Sequence, residues 1–310
     1  MRPSWFISLL LCVLMLSGCR AIRRTVDSRQ SIEARRLSRE GLAAMHQDRW
    51  DEAEALFQSA LELSHSDDRA YWGYSEVLWQ KGLRGSAIEH LEKAVRLSAG
   101  APELRVRLGK MYLEEGRVDD AARQVGGVLE SSRGLASAWA LHGDILVKRN
   151  DFDSALAAYH RAVSLDPHCP LVRIAIAEIY KIQSRHDRLL ATIDRLDEKT
   201  IPLDRAGRIA MMRGIAMCEL GQPEEGAKHL RQAIALGHDA TETYQSLAAA
   251  EMNNRRFNEA QDAIRIALQQ VPDDPLSIRL AQQIVDAQLR MAAEPASDAD
   301  ALGGDRRVAY

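Results

Sequence analysis

Small, large and polar positions recur along this chain with a period of 34 residues, and repetition at a fixed period is the first signal to settle in a sequence. Units start at Ala34, Asp68, Pro102, Ala136 and Pro170 and, after a slip of three residues, at Gly207, Thr241 and Pro275. The eighth position is small in every unit: Gly41, Ser75, Gly109, Gly143, Ala177, Gly214 and Ala248. The twenty-fourth is large and apolar: Phe57, Leu91, Val125, Tyr159, Ile193, Leu230 and Ile264. The twentieth (Ala53, Ala87, Ala121, Ala155, Leu189, Gly226, Ala260) and the twenty-seventh (Ala60, Ala94, Val128, Ala162, Leu196, Ala233, Ala267) are mostly small.

Each unit reads as two helical runs joined by a short turn such as Lys81-Gly82-Leu83 or Arg149-Asn150-Asp151. Antiparallel helices approach closely only where side chains are small. In unit four this sets Gly143 against Ala155, with Tyr159 filling the space toward the neighbouring unit. Leu165-Asp166-Pro167 and Val271-Pro272 end second helices, because the residue before a proline disfavours helical geometry. Unit five departs from the pattern: Leu189 takes a small-residue slot, and Thr200-Ile201-Pro202 lies near the slip. A splayed helix pair is expected there, either as a hinge or as a tolerated loop insertion.

These columns resemble the tetratricopeptide repeat, a helix–turn–helix of 34 residues. Residues 136–169 match it best, with Trp139, Gly143, Phe152, Ala155, Tyr159, Ala162 and Pro167 in the family's places; Leu108, Gly109, Tyr112, Gly116 and Ala121 match in unit three. The resemblance implies an all-α fold, an α-solenoid whose helix-turn-helix repeats wind into a right-handed superhelix. Seven units span 34–274, and 275–293 fits one more first helix, the cap that such a stack needs at an open end. Residues 294–310 are polar and rich in Gly and Ala, and are expected to be disordered.

The amino terminus changes the picture. The apolar run Trp5 to Leu16 is shorter than the ~20 residues a membrane-spanning helix needs. It reads as the core of a secretory signal peptide over 1–18. Leu16-Ser17-Gly18-Cys19 resembles the lipobox of bacterial lipoproteins, which implies cleavage before Cys19 and acyl chains on that residue. Two or more chains anchor a protein stably. Arg20, not Asp, follows Cys19, which in a Gram-negative envelope implies the outer membrane, facing the periplasm. Residues 19–33 form a basic linker: seven arginines in 20–39 face only Asp27 and Glu33, whereas 40–310 carry 33 basic and 42 acidic residues. The basic stretch suits anionic headgroups or is simply a solvated linker and helix face.

Composition excludes several classes. With 46% hydrophobic residues the chain is not disordered, and 19 Gly with 9 Pro exclude collagen and low-complexity sequence. Four cysteines exclude a disulfide scaffold. Cys12 leaves with the signal and Cys19 is acylated; Cys169 and Cys218 are expected as free packing thiols, more than one repeat apart. No hydrolase, phosphate-loop, dinucleotide or metalloprotease motif occurs, and the histidines are scattered singly. No catalytic residue, metal site or cofactor is therefore expected, and the repeats leave no room for a catalytic domain.

Function is expected on the concave face of the stack. The resemblance places that face at the second, fifth, ninth and twelfth residues of each first helix. Trp50 and Trp139 fill slots the repeat itself wants large. Trp72 and Trp79 do not; they are seven apart on one helix face. With Leu42, Met45, Val106 and Leu113 they form a candidate apolar strip, with Glu76 and Lys110 among its mixed charges. Aromatic anchors of this kind dominate interface energies. The alternative is that the tryptophans pack on neighbouring first helices and touch no partner. Nucleic acid is not an expected partner, since no single-sign stripe is present. The reading is a lipid-anchored adaptor that holds an extended segment of another envelope protein. Its rivals are an assembly subunit of an envelope complex, similar to a pilotin of type IV pili or secretion, and a cell-wall glycan binder. Nothing fixes the oligomeric state.

Overall fold

The computed structural model describes residues 29–293 of the 310. The described residues form helices, turns and one 3₁₀ turn, in two compact units divided between Leu165 and Asp166.

In the first unit the chain is helical over 29–45 (α1) and then forms α2 (Trp50–Leu63), α3 (Asp68–Gln80), α4 (Arg84–Leu97), α5 (Pro102–Glu114), α6 (Val118–Ser131), α7 (Ala136–Lys148) and α8 (Phe152–Leu165). The helices pair in sequence as antiparallel hairpins. Residues 29–33, expected in the linker, already belong to α1. The second unit contains α9 (Pro170–Ile182), α10 (His186–Ile193), a 3₁₀ turn (Glu198–Thr200), α11 (Leu203–Glu219), α12 (Pro223–Ala235), α13 (Thr241–Asn253), α14 (Phe257–Gln270) and α15 (Pro275–Ala293).

The repeat columns are the core. Every residue of the eighth, twentieth and twenty-fourth columns is buried, and in the twenty-seventh only Leu196 is partly exposed. Small residues in one helix admit large ones from the other. A Cβ on Gly41 would lie 2.8 Å from Phe57 Cε1, and one on Gly214 would lie 2.7 Å from Leu230 Cγ. Phe57 is gripped on its other side by Gly73 of α3. The ring of Tyr159 lies across Gly143 of its own hairpin, and its hydroxyl donates to Asp144 Oδ1 at 2.7 Å.

One turn closes all seven hairpins. Asp48, Gly82, Gly116, Asn150, Ser184, Gly221 and Arg255 have φ between 53° and 80°. In each case the next residue donates its N–H to the carbonyl five residues back, as Leu83 does to Leu78 at 2.9 Å and Arg185 to Tyr180 at 2.9 Å. This is the Schellman helix end, whose left-handed residue glycine adopts without a Cβ penalty.

Helix starts are fixed equally locally. Proline opens α5, α9 and α12, where its missing N–H is not needed. Asp67 caps α3: Oδ1 accepts the N–H groups of Arg69 and Ala70, and Oδ2 accepts the buried Ser38 hydroxyl at 2.8 Å. The three-residue slip is absorbed in unit five. There α10 has only 8 residues, and α11 begins four residues before the register position Gly207.

Candidate functional site

The first helices of the second and third hairpins, α3 and α5, enclose a cleft of about 390 Å³. Asp68, Arg69, Trp72 and Glu76 line it from α3, and Ala101, Glu103, Leu104 and Arg107 from the start of α5 and the residue before it. Trp72 and Glu76 sit one turn apart, so they share a helix face. The indole N–H of Trp72 donates to Glu76 Oε1 at 3.3 Å. Arg107 closes the far side with a two-pronged contact: Nε donates to Oε1 and Nη2 to Oε2 of Glu76, both at 2.7 Å. Those side chains keep only 17% (Glu76) and 28% (Arg107) of their surface exposed, so the charge-assisted pair is shielded as well as geometrically matched. Burial works against the Arg107 cation, but the Glu76 bonds and charge outweigh it and hold its pKa above the usual value. The cleft thus has a half-buried aromatic wall, a neutralised ion pair and exposed charges of both signs, Arg69 and Glu103.

Among the described residues no group of three or more His, Cys, Asp or Glu could hold a metal ion. Cys169 and Cys218 are free thiols, each pushed up to about 11, Cys169 by burial and then its bond to Asp166, Cys218 by burial and then the Glu219 charge. Thiols at that pKa are weak nucleophiles at neutral pH.

Models of the tetratricopeptide repeat match residues 38–102 and 140–200, and a second such model matches 78–145. The chain belongs to the tetratricopeptide repeat family. No curated protein matches it in sequence. Among solved structures it is similar to a tetratricopeptide repeat protein from Parabacteroides merdae, with TM-score 0.55 and 10% identity over 82% of this chain and 99% of that one. It is also similar to PilF of Pseudomonas aeruginosa, with TM-score 0.51 and 18% identity over 63% of this chain and 93% of that one. At such identities the likeness is one of fold.

The tetratricopeptide geometry redistributes the expected strip. Of its eight residues, Trp72 and Glu76 line the cleft. Val106 does not offer a binding surface: it is 4% exposed and belongs to the core, as the fifth position is also buried at Ser38, Ile174 and Met211. Trp79 packs against the same core and is covered by Arg84, whose Cζ lies 3.9 Å from the ring centroid. Leu113 packs there too, while Leu42 and Met45 pack on the separate core around Phe57. Lys110 is exposed; its charge offsets part of the rise that burial imposes on the carboxyl of Asp144.

Leu104 and Arg107 were missed because they stand at the third and sixth positions of their helix. A signal for Arg107 exists in spacing. Glu76 and Arg107 are 31 apart, and Asp51–Lys81, Asp119–Arg149 and Glu178–Arg208 pair at 30. Opposite charges a few residues short of one repeat therefore meet across successive hairpins. Cys19, the signal peptide, linker residues up to 28 and the tail 294–310 lie outside the described residues. No described helix is long and apolar enough to cross a membrane.

Proposed function

We propose that this tetratricopeptide repeat protein is a non-catalytic, lipid-anchored scaffold of a bacterial envelope, which holds an extended segment of a partner protein in the cleft between α3 and α5. Tetratricopeptide repeats serve protein–protein interaction, which makes a protein partner the first expectation. The observation that carries the choice of site is Trp72, a half-buried aromatic lining a cleft of about 390 Å³ beside the Glu76–Arg107 pair. Buried aromatic and arginine side chains at the centre of a contact supply most of its energy. A partner fits best if it inserts one apolar side chain against Trp72 and presents polar backbone to Arg69 and Glu103. The anchor rests on Leu16-Ser17-Gly18-Cys19 and the outer-membrane assignment on Arg20.

The test is cross-linking in intact cells from a photoreactive group at Leu104, with and without Trp72→Ala. Loss of the cross-linked partner in Trp72→Ala, with helical content unchanged, supports the reading. Undiminished capture refutes it. Membrane fractionation of Cys19→Ser tests the anchor separately; unchanged association with membranes overturns that part.

A further inference from the structure

The last helix lacks what every other first helix has. In the seven hairpins the fourth and eleventh residues of the first helix are buried or half-buried and the eighth is buried, because the second helix of the hairpin covers them. Tyr71, Ser75 and Leu78 of α3 are an example. In α15 the same positions are Ile278, Gln282 and Val285, and all three are exposed. Ile278 is 52%, Val285 42% and the next residue along the row, Leu289, 63% exposed. This helix also runs on for 19 residues where α13 turns after 13, so within the described residues it makes no hairpin.

The uncovered face is a seam. Residues 278, 282, 285 and 289 are spaced four, three and four apart, the interval of the a and d positions of a two-helix coil. One flank of it is already engaged, since Gln288 accepts from Gln261 of α14 at 2.7 Å. The other flank carries Arg279 and Asp286, one heptad apart. Arg279 has no ion-pair partner among the described residues. Residues on the same flank meet in an antiparallel helix pair, whereas a parallel pair sets opposite flanks together and would face Arg279 with Gln288. Two copies of α15 in antiparallel register therefore bring Ile278 against Leu289, Gln282 against Val285, and Arg279 of each copy against Asp286 of the other.

The chain's own tail fits less well. The eighth position of a hairpin must be small for a second helix to approach, and here it is Gln282. The tail that follows, Glu294 to Tyr310, contains a Gly303-Gly304 pair and four acidic residues, and offers no row of large apolar residues.

We infer that α15 is a self-association surface, by which two copies of this chain pair through Ile278, Val285 and Leu289 in antiparallel register, with reciprocal Arg279–Asp286 ion pairs. One helix seam buries less than the ~800 Å² per partner of a standard stable interface, so the dimer is concentration-dependent. Two-fold pairing of one surface closes on itself and does not propagate. The inference is independent of the cleft.

The test is sedimentation equilibrium of the full chain over a broad micromolar range. A monomer–dimer equilibrium is expected. Val285→Asp weakens it at least about tenfold, as loss of a central apolar contact does, without changing the thermal unfolding midpoint. Arg279→Asp alone weakens it, and adding Asp286→Arg restores it, because the double exchange recreates the pairs. Deleting 294–310 leaves the dimer in place. A monomer throughout, a dimer indifferent to Val285→Asp, or a double exchange no better than the single one overturns the inference. A dimer seen only after the tail is removed also overturns it, by making the tail the occupant.

Discussion

Replacing Gly214 with alanine sets two known effects against each other where α11 and α12 approach closely. In an open helix interior, glycine to alanine stabilises by about 1 kcal/mol, because alanine loses less backbone freedom on folding. At Gly214 the added Cβ would lie 2.7 Å from Leu230 Cγ and 2.9 Å from the backbone oxygen of Gly226. Leu230 is fully buried and has no room to retreat. The carbonyl belongs to α12, so relief requires the helix itself to move by roughly half an ångström. Overpacking of this kind costs about 1–3 kcal/mol. Net destabilisation of about 1–2 kcal/mol is therefore expected. Gly126 in α6 is the control, since a Cβ there meets nothing within 4 Å. Gly126→Ala should stabilise by about 0.5–1 kcal/mol. Urea unfolding followed by far-UV circular dichroism measures both. Gly214→Ala as stable as the parent or more so would refute the claim that these helices touch backbone to backbone.

Two further predictions concern charge. The hydroxyl of Tyr112 is pushed up to about 12, first by burial and then by its 2.6 Å bond to Glu92. A folded pKa above the unfolded value means that this contribution to stability is whole below about pH 10 and is lost as pH rises toward 12. Absorbance titration at the phenolate band should lose a step near pH 12 in Tyr112→Phe; an unchanged titration curve contradicts this. In the second unit Glu251 is 1% exposed and is held by Arg231 and, at 3.7 Å, by Arg256. Arg231→Ala should cost about 3 kcal/mol, because it leaves a buried carboxylate with only the longer 3.7 Å contact to Arg256. Glu251→Gln should cost nearer 1 kcal/mol, because it removes the buried charge and leaves the half-exposed arginines hydrated. The reverse order in urea midpoints would show that the buried charge is not the controlling element.

The all-α repeat fold was legible because its rules are local. The buried small column from Gly41 to Ala248 and the buried large column from Phe57 to Ile264 follow from a 34-residue register and from what helices need in order to touch. The shortening of α10 was visible only as a place of trouble. Leu189 and the slip marked unit five, but whether α10 or the loop would give way depends on packing that no column states. The cleft was half legible. Trp72 and Glu76 stood out because the repeat does not need them. Leu104 and Arg107 did not, because they stand at the third and sixth positions of α5 and not at those the resemblance assigns to the concave face, whereas Val106, at an assigned position, is buried. A side chain two positions away on a helix turns through about 200°, so a modest rotation exchanges wall for core.

The shared turn has a consequence for how such a chain can change length. Asp48, Gly82, Gly116, Asn150 and Ser184 follow one another at 34 residues in one backbone state, each closing its hairpin with the same bond. A cut at any of these turns, rejoined at any other, leaves both junctions in a conformation the chain already uses. Whole repeats can then be gained or lost by duplication or deletion without any loop having to find a new shape. Because each repeat touches mainly its neighbours, the stability at stake is that of one new contact between familiar faces. The molecule is thus a ruler whose divisions are interchangeable, with its distinguishing features concentrated in the few residues that break the pattern.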